Sequence, residues 1–398
     1  MKKINVSEKI YYVGSNDRKT ALFENNWPLP EGVSYNSYLI TDDKCALIDT
    51  LEYGSDKDYI PTIVAILQER RLDYLIVNHM EPDHSSMIGE ILRLYPELKI
   101  VGNSKTYNML LSYFNLSRES FMEVSDGETL DLGYHKLKFV ITPWVHWPET
   151  MMTYDQSDKI LFSCDAFGSF GALNGGIFDD EIDFSLYESE MRRYYSNIVG
   201  MYSAMVQKAL TKLSGTEVKM VAPSHGPIWR KDPAKVISLY DKWSKYEAQE
   251  GVVIAFASMY GNTEKMAERL ARELSESGVR NIRVYDVSKT HSSFILNDIW
   301  RYKGYILGSC SYNGDMHPMM KLLSHEIKVS NPQKRVFGIF GSHSWNSAGI
   351  KALKKYAEEN KYEVTGEPID ASGHPHEEIL SHFKEYAAQF VLKMKAIE

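Results

Sequence analysis

A chain of 398 residues is too long for one ordinary hydrophobic core and points to two domains. A hydrophobic content of 43% with 25% charged residues excludes wholesale disorder, and a net charge of -8 without a basic tract excludes nucleic acid as a default partner. The opening residues Met1 to Glu8 lack an apolar signal core, and no run is long enough to span a membrane, so a cytoplasmic location is expected.

Taken in order, Ser34–Ile40 and Cys45–Thr50 read as two strands joined by the turn residues Asp42 and Asp43. A helix is expected around Tyr59 to Glu69. The apolar run from Leu75 then ends in His79-Met-Glu81-Pro-Asp83-His84, where Pro82 argues for a loop at the strand's C-terminal end. Helical spacing resumes at Met87. Three later strands each deliver one polar residue near their ends: 136–142 leads to His146, 159–164 to Asp165 and 219–224 to His225. After a helix carrying Val236, Ile237, Tyr240 and Trp243, the polar stretch 244–250 marks the domain boundary, giving domains 1–249 and 250–398. From there strands and helices alternate: strands at 252–257, 282–287, 304–308, 335–340 and near Pro368, and a last helix from about Pro375 with Ile379, Phe383, Tyr386 and Phe390 inward. That grammar is a doubly wound parallel sheet.

His79, Glu81, Asp83, His84, His146, Asp165 and His225 form the first functional constellation. A lone histidine after a strand is more often a hydrogen-bonded structural residue than a ligand. Several carboxylates packed together without a cation would be costly to bury, however, and that favours a metal. Seven donors exceed the four of a tetrahedral site, so two metals with a bridging carboxylate are expected. Asp165, alone between the two groups, is the expected bridge. The donors are imidazole and carboxylate, which suits first-row metals, and no thiolate is among them. Cys45, Cys164 and Cys310 are the only cysteines, so the four-thiolate iron centre of a rubredoxin cannot be built.

The second constellation lies in three loops that follow strands of the C-terminal half. Ser258, Met259, Tyr260, Gly261, Asn262 and Thr263 lead into a helix N-terminus and suit a phosphate monoester. The loop is no Walker A sequence, and the absence of G-x-G-x-x-G argues against a dinucleotide. Ser309, Cys310, Ser311, Tyr312, Asn313 and Gly314 form the next loop, and Ser342, His343, Ser344, Trp345 and Asn346 the third. Together they can bond the polar edge of a planar cofactor, with Trp345, and after it Tyr312, as stacking rings.

The run His79 to His84 resembles the H-x-H-x-D-H loop of the metallo-β-lactamase superfamily, with Glu81 in the second histidine position. That harder, anionic donor moves the expectation from zinc toward iron. Adding His146-Trp-Pro-Glu149, Asp165-Ala-Phe-Gly168 and the flavodoxin-like second half, the chain resembles a flavodiiron protein over essentially its whole length. The resemblance implies a metallo-β-lactamase-like αββα sandwich followed by a flavodoxin-like domain that binds FMN. It implies two non-haem irons, one held by His79, Glu81 and His146, the other by Asp83 and His225, bridged by Asp165. Family members differ over whether the histidine at the His84 position binds metal. Cys310 departs from the family's usual proline.

The resemblance further implies an oxidoreductase that reduces dioxygen to water, nitric oxide to nitrous oxide, or both, with electrons passed through FMN. It also implies a rubredoxin-like protein or a reductase as electron donor and a head-to-tail homodimer, or a homotetramer. Tyr195, within Arg193-Tyr-Tyr-Ser-Asn197, is a candidate proton donor. Two other readings remain at this stage. One is a binuclear metallohydrolase with a regulatory flavodoxin-like domain; the other is an electron-transfer module with structural metals.

Overall fold

The computed structural model describes residues 4–397. The chain divides into two compact units, Met1–Tyr195 with Tyr202–Ser244, and Ser196–Met201 with Lys245–Glu398. The boundary expected at residue 249 falls at the start of a strand, Gln249–Ala257, a few residues past this division. The short stretch 196–201 groups with the second unit, which no sequence signal foretold.

Two sheets build the first unit. The seven-stranded one runs in the order Ile4–Asn5, Ile10–Tyr12, Tyr38–Thr41, Cys45–Ile48, Tyr74–Ile76, Lys99–Gly102 and Phe121–Glu123. Its first strands pair antiparallel and its last four parallel. Leu75 and Ile76 are buried on both sides, which is why this strand reads as a continuous apolar run instead of an alternating one. The five-stranded sheet holds Thr129–Asp131, Lys136–Ile141, Met151–Asp155, Ile160–Phe162 and, parallel to the last of these, Met220–Ala222. The sheets meet through side chains such as Tyr38 and Phe162, whose ring centroids are 5.1 Å apart. With helices such as Tyr59–Leu67 and Ser104–Tyr113 in the connections, this is the αββα sandwich.

The expected strand 34–40 is broken in two, Val33–Tyr35 and Tyr38–Thr41. Asn36 causes the break: its side-chain amide donates to Pro223 O and Gly226 O, both at 2.9 Å, so the chain leaves the ladder there. That same pair of bonds pins the loop carrying His225.

The second unit has one sheet with strand order Ile282–Asp286, Gln249–Ala257, Tyr302–Tyr312, Val336–His343, Ile369–Ser372, all parallel. This is the two-one-three-four-five order of flavodoxins. Asp315–Met316 returns antiparallel against Tyr302–Tyr312. Helix Asn262–Glu276 buries Met266, Ala267, Leu270 and Leu274 on the sheet, and Glu377–Lys395 adds Phe383, Tyr386 and Phe390 to the same core. Each large apolar side chain so buried contributes roughly 1.5–3 kcal/mol. Strand order reverses between Gln249–Ala257 and Tyr302–Tyr312, so their C-terminal ends open a crevice beside the loop 258–263. Ser309 to Tyr312, expected in a loop, instead continue strand Tyr302–Tyr312, and Ser342 and His343 likewise end strand Val336–His343, because parallel pairing carries on past the apolar runs. No helix of the described residues is long and apolar enough to cross a membrane.

Candidate metal centre and cofactor pocket

Strand Tyr74–Ile76 hands the chain to a loop that is tied at nearly every backbone group. Asp49 Oδ1 accepts the N–H of Asn78 at 2.7 Å, Thr50 Oγ1 donates to His84 O, and Ser85 Oγ donates to Met80 O, both at 2.8 Å. The loop expected from Pro82 onward is in part a helical turn, Pro82–Ser85. Proline at the first helical position needs no hydrogen bond there and starts the turn instead of breaking it. Glu81 stands just before that turn, and Asp83 and His84 project from it.

The other donors arrive from the five-stranded sheet. Asp165 follows Ile160–Phe162 across Cys164, whose φ of 57° makes the sharp turn. His225 follows Met220–Ala222, and its Nδ1 bonds Ser34 O at 2.8 Å. The next residue must be glycine: Gly226 has φ +75°, and a Cβ there would meet Ser169 Oγ at 2.1 Å.

All seven expected metal residues converge, and all are buried. They form two groups, His79, Glu81, His146 and Asp165 in one and Asp83, His84 and His225 in the other. Asp165 faces both. Its Oδ2 lies 3.4 Å from His79 Nε2 and 3.1 Å from His146 Nε2, while its Oδ1 lies 3.0 Å from His84 Nε2 and 3.5 Å from His225 Nε2. Glu81 Oε2 is 3.1 Å from both His79 Nε2 and His146 Nε2, and Asp83 Oδ2 is 3.3 Å from both His84 Nε2 and His225 Nε2.

The electrostatics of this cluster call for cations. Burial opposes charge on His84 and His146, yet the neighbouring carboxylates, Asp83 and Asp165 for the one and Asp165 and Glu81 for the other, outweigh it and raise both to about 9. Burial is likewise overcome at His79, held well above its ordinary value by Glu149, Glu81 and Asp165. Burial pushes the Asp165 and Glu81 carboxyls up, but the surrounding imidazoles pull both below the usual range. The carboxylates among these imidazoles favour positive charge at the cluster, which bound metal ions would supply. Both oxygens of Asp83 and Asp165, and Nε2 of His84, His146 and His225, have no hydrogen-bond partner. Buried polar atoms left so in one cluster fit metal ligation. A cavity of about 260 Å³ reaches Glu81 and Asp83 past Phe23, Glu24, Tyr35 and Glu52.

Two neighbours were not singled out from the sequence. Glu149 Oε1 bonds His79 Nδ1 at 2.7 Å and accepts Met80 N–H at 2.9 Å. Tyr194 sets its ring 5.5 Å from that of His225. Burial pushes its hydroxyl well above 10, with Asp165, Glu81 and Asp83 adding to the shift. Tyr195, the expected proton donor, belongs to the layer behind: its hydroxyl bonds Ser203 Oγ at 2.8 Å and its ring packs on Tyr240 and Trp243. Helix Phe184–Tyr194 gives way at Tyr195 to a π-turn, and the two adjacent tyrosines, about 100° apart around a helix axis, face different layers.

In the second unit a cavity of about 410 Å³ is lined by Met259, Tyr260, Ser311, Tyr312, Asn313, Gly314, Ser344, Trp345 and Asn346. Tyr260 and Trp345 are 90% and 91% exposed, so neither ring is held by the protein core and both are free to cover a planar ligand. Ser258 Oγ accepts Gly261 N–H at 3.0 Å, and helix Asn262–Glu276 begins there with its N–H groups facing the loop. Thr263 Oγ1 and Ser342 Oγ lie 2.8 Å apart beside it. Eight of the expected residues, Ser258, Gly261, Asn262, Thr263, Ser309, Cys310, Ser342 and His343, do not line the cavity. Ser309 Oγ donates to Cys310 O, Cys310 is buried, and His343 Nδ1 pairs with Asp370 Oδ1 at 3.0 Å. Hydroxyls and a helix terminus beside an aromatic-rimmed cavity fit a flavin mononucleotide.

A two-group histidine–carboxylate centre on an αββα sandwich, joined to a flavodoxin-ordered sheet, defines a metalloflavoprotein. The family model described as "ODP family beta lactamase" matches residues 33–226, and the flavodoxin model matches 254–385. The anaerobic nitric oxide reductase flavorubredoxin of Pectobacterium carotovorum is 32% identical over 368 residues, 91% of this chain and 73% of that protein. Rubredoxin:oxygen oxidoreductase from Desulfovibrio gigas superposes with a TM-score of 0.95 at 27% identity, covering 99% of both chains. The flavodiiron protein from Giardia intestinalis gives 0.95 at 26% identity, covering 100% of this chain and 97% of that one. The chain belongs to the flavodiiron protein family.

Proposed function

We infer that the chain is an oxidoreductase that reduces dioxygen to water, nitric oxide to nitrous oxide, or both, at a non-haem diiron site fed through FMN. The observation that carries this reading is Asp165, whose two oxygens each face a different pair of imidazole Nε2 atoms. A carboxylate so placed could hold one ion with each oxygen. His79, Glu81 and His146 would hold one iron, and Asp83, His225 and His84 the other. When bound, FMN accepts electrons and the irons pass them to the gas.

The rest is supplied by the protein. Burial of all seven donors keeps bulk water from the cluster, and the cavity at Glu81 and Asp83 admits a small neutral molecule. Hydroxyls of Ser258 and Thr263 with the helix N-terminus would hold the FMN phosphate, and Trp345, Tyr260 and Tyr312 its ring. Residues 1–249 would thus form the diiron domain and 250–398 the flavin domain. No four-thiolate centre within these residues can feed the flavin, since Cys45, Cys164 and Cys310 are each free and buried. A rubredoxin-like protein or a reductase suits that role, and a head-to-tail homodimer, alone or doubled into a tetramer, would set one subunit's flavin beside its partner's irons in the cytoplasm.

The test is consumption of nitric oxide and of dioxygen, separately, by the FMN-reduced, iron-loaded protein. Sustained turnover with either gas is expected, and the ratio of the two identifies the preferred substrate. Near-zero turnover with both refutes the reading.

A further inference from the structure

The imidazole nitrogens that point away from the metal cluster are unequally served. His79 offers Nδ1 to Glu149 Oε1 at 2.7 Å, with both side chains fully buried. Among the described residues Glu149 has no ionic partner besides His79, and its Oε2 has no hydrogen-bond partner. Across the cluster, His225 offers Nδ1 to the neutral carbonyl of Ser34 at 2.8 Å, and Nδ1 of His84 has no partner. Asp49 does not restore the balance, because its charge acts on His84 as well as His79.

A carboxylate on the far nitrogen of a ligating histidine does more than fix its tautomer. It draws the proton toward itself, enriches Nε2 and places a negative charge near the metal in a poorly screened interior. A backbone carbonyl fixes the tautomer and does little else.

We propose that Glu149 is a positioning residue that makes the two metal positions unequal and so sets the order in which they are reduced. The position bounded by His79, Glu81 and His146 keeps its ferric ion, and the one bounded by Asp83, His84 and His225 takes the first electron. One electron from the reduced flavin converts one ferric ion to ferrous, with no bond made or broken; the charge on Glu149 decides which. This inference rests on the diiron reading above.

The experiment is an EPR-monitored redox titration of the FMN- and iron-loaded protein, which reads the two one-electron steps of the metal pair. Glu149→Gln keeps the chain length and a hydrogen-bond acceptor but removes the charge. The expected result is a roughly ten- to hundredfold fall in the constant that stabilises the half-reduced pair, through an upward move of the second step alone. Glu149→Asp, which keeps the charge, restores most of the separation, whereas Asp49→Asn moves both steps together. Unchanged steps in Glu149→Gln, or equal shifts of both, overturn the proposal. If that variant fails to hold iron, the Mössbauer spectrum of the half-reduced wild type decides: one trapped ferrous site supports the inequality, and two averaged sites overturn it. Protein that binds zinc in place of iron would overturn the diiron reading, and this inference with it.

Discussion

Replacing Asp165 by asparagine tests the centre at the point where its two halves meet. The side chain is fully buried, and asparagine matches its volume, so the fold has no reason to change. What changes is charge and donor set. One oxygen becomes an amide nitrogen that cannot ligate, and the negative charge between four imidazoles at 3.0–3.5 Å disappears. A unit charge acting at ~4 Å through an effective dielectric of ~20 is worth about 4 kcal/mol, or roughly a thousandfold in affinity. Metal content per chain, measured by plasma emission on protein desalted without added iron, should fall from two to below one. Gas consumption should fall at least ~100-fold, while flavin content and far-ultraviolet circular dichroism stay at wild-type values. An Asp165→Asn protein that keeps two metals and turns over within ~3-fold of wild type would refute the bridging assignment.

Other perturbations reach the remaining parts. His84→Ala should weaken metal on the Asp83 side by roughly 10–100-fold, because Nε2 of His84 lies 3.0 Å from Asp165 Oδ1 and 3.3 Å from Asp83 Oδ2; unchanged occupancy would assign it a purely structural role. Trp345→Ala should loosen FMN by roughly 2–13-fold, the ~0.5–1.5 kcal/mol of aromatic stacking, read by recovery of flavin fluorescence. The melting temperature of the flavin-free protein should not move, because the ring is exposed. Metal binding should release protons. In the metal-free protein His84 and His146, raised to about 9, are charged at neutral pH, so an incoming ion must displace those protons. Affinity should therefore rise with pH from neutral through about 9. Calorimetry of Co²⁺ binding in buffers of different ionisation heat should show at least about two protons released at neutral pH; none released would sink the electrostatic account.

Much of the candidate centre was legible because its candidate ligands sit where strands end, and apolar runs that stop abruptly are visible without coordinates. His79, Asp165 and His225 each come within three residues of such a stop. Parts that depend on local phase were not legible. Adjacent tyrosines point to different layers, and which one lies beside His225 depends on the phase of helix Phe184–Tyr194, which composition does not set. Glu149 stands in the run that suggested the family, but a carboxylate three residues past a histidine does not announce that it will reach back to His79. The flavin half was clear in its strands and loops. The loops' individual roles were less so: Ser309 and His343 look like lining residues in sequence, and the structure commits them to bonds with their neighbours. The grouping of 196–201 with the second unit reflects long-range contacts, to which periodicity is blind.

The candidate ligands come from both sheets of the sandwich, His79 to His84 from the seven-stranded one and His146, Asp165 and His225 from the five-stranded one. Ions in that place are a cross-link as much as a reaction centre, closing a loop of roughly 150 residues that loses its closure when they leave. A ligand that binds only the folded state adds about 4 kcal/mol when its concentration is ~1,000 times its dissociation constant. For a domain whose total stability is ~5–15 kcal/mol that is a large share. Iron supply should then govern how much of the first unit survives proteolysis as well as how fast it works, and the flavin-bearing unit, with its own core, should depend on it less.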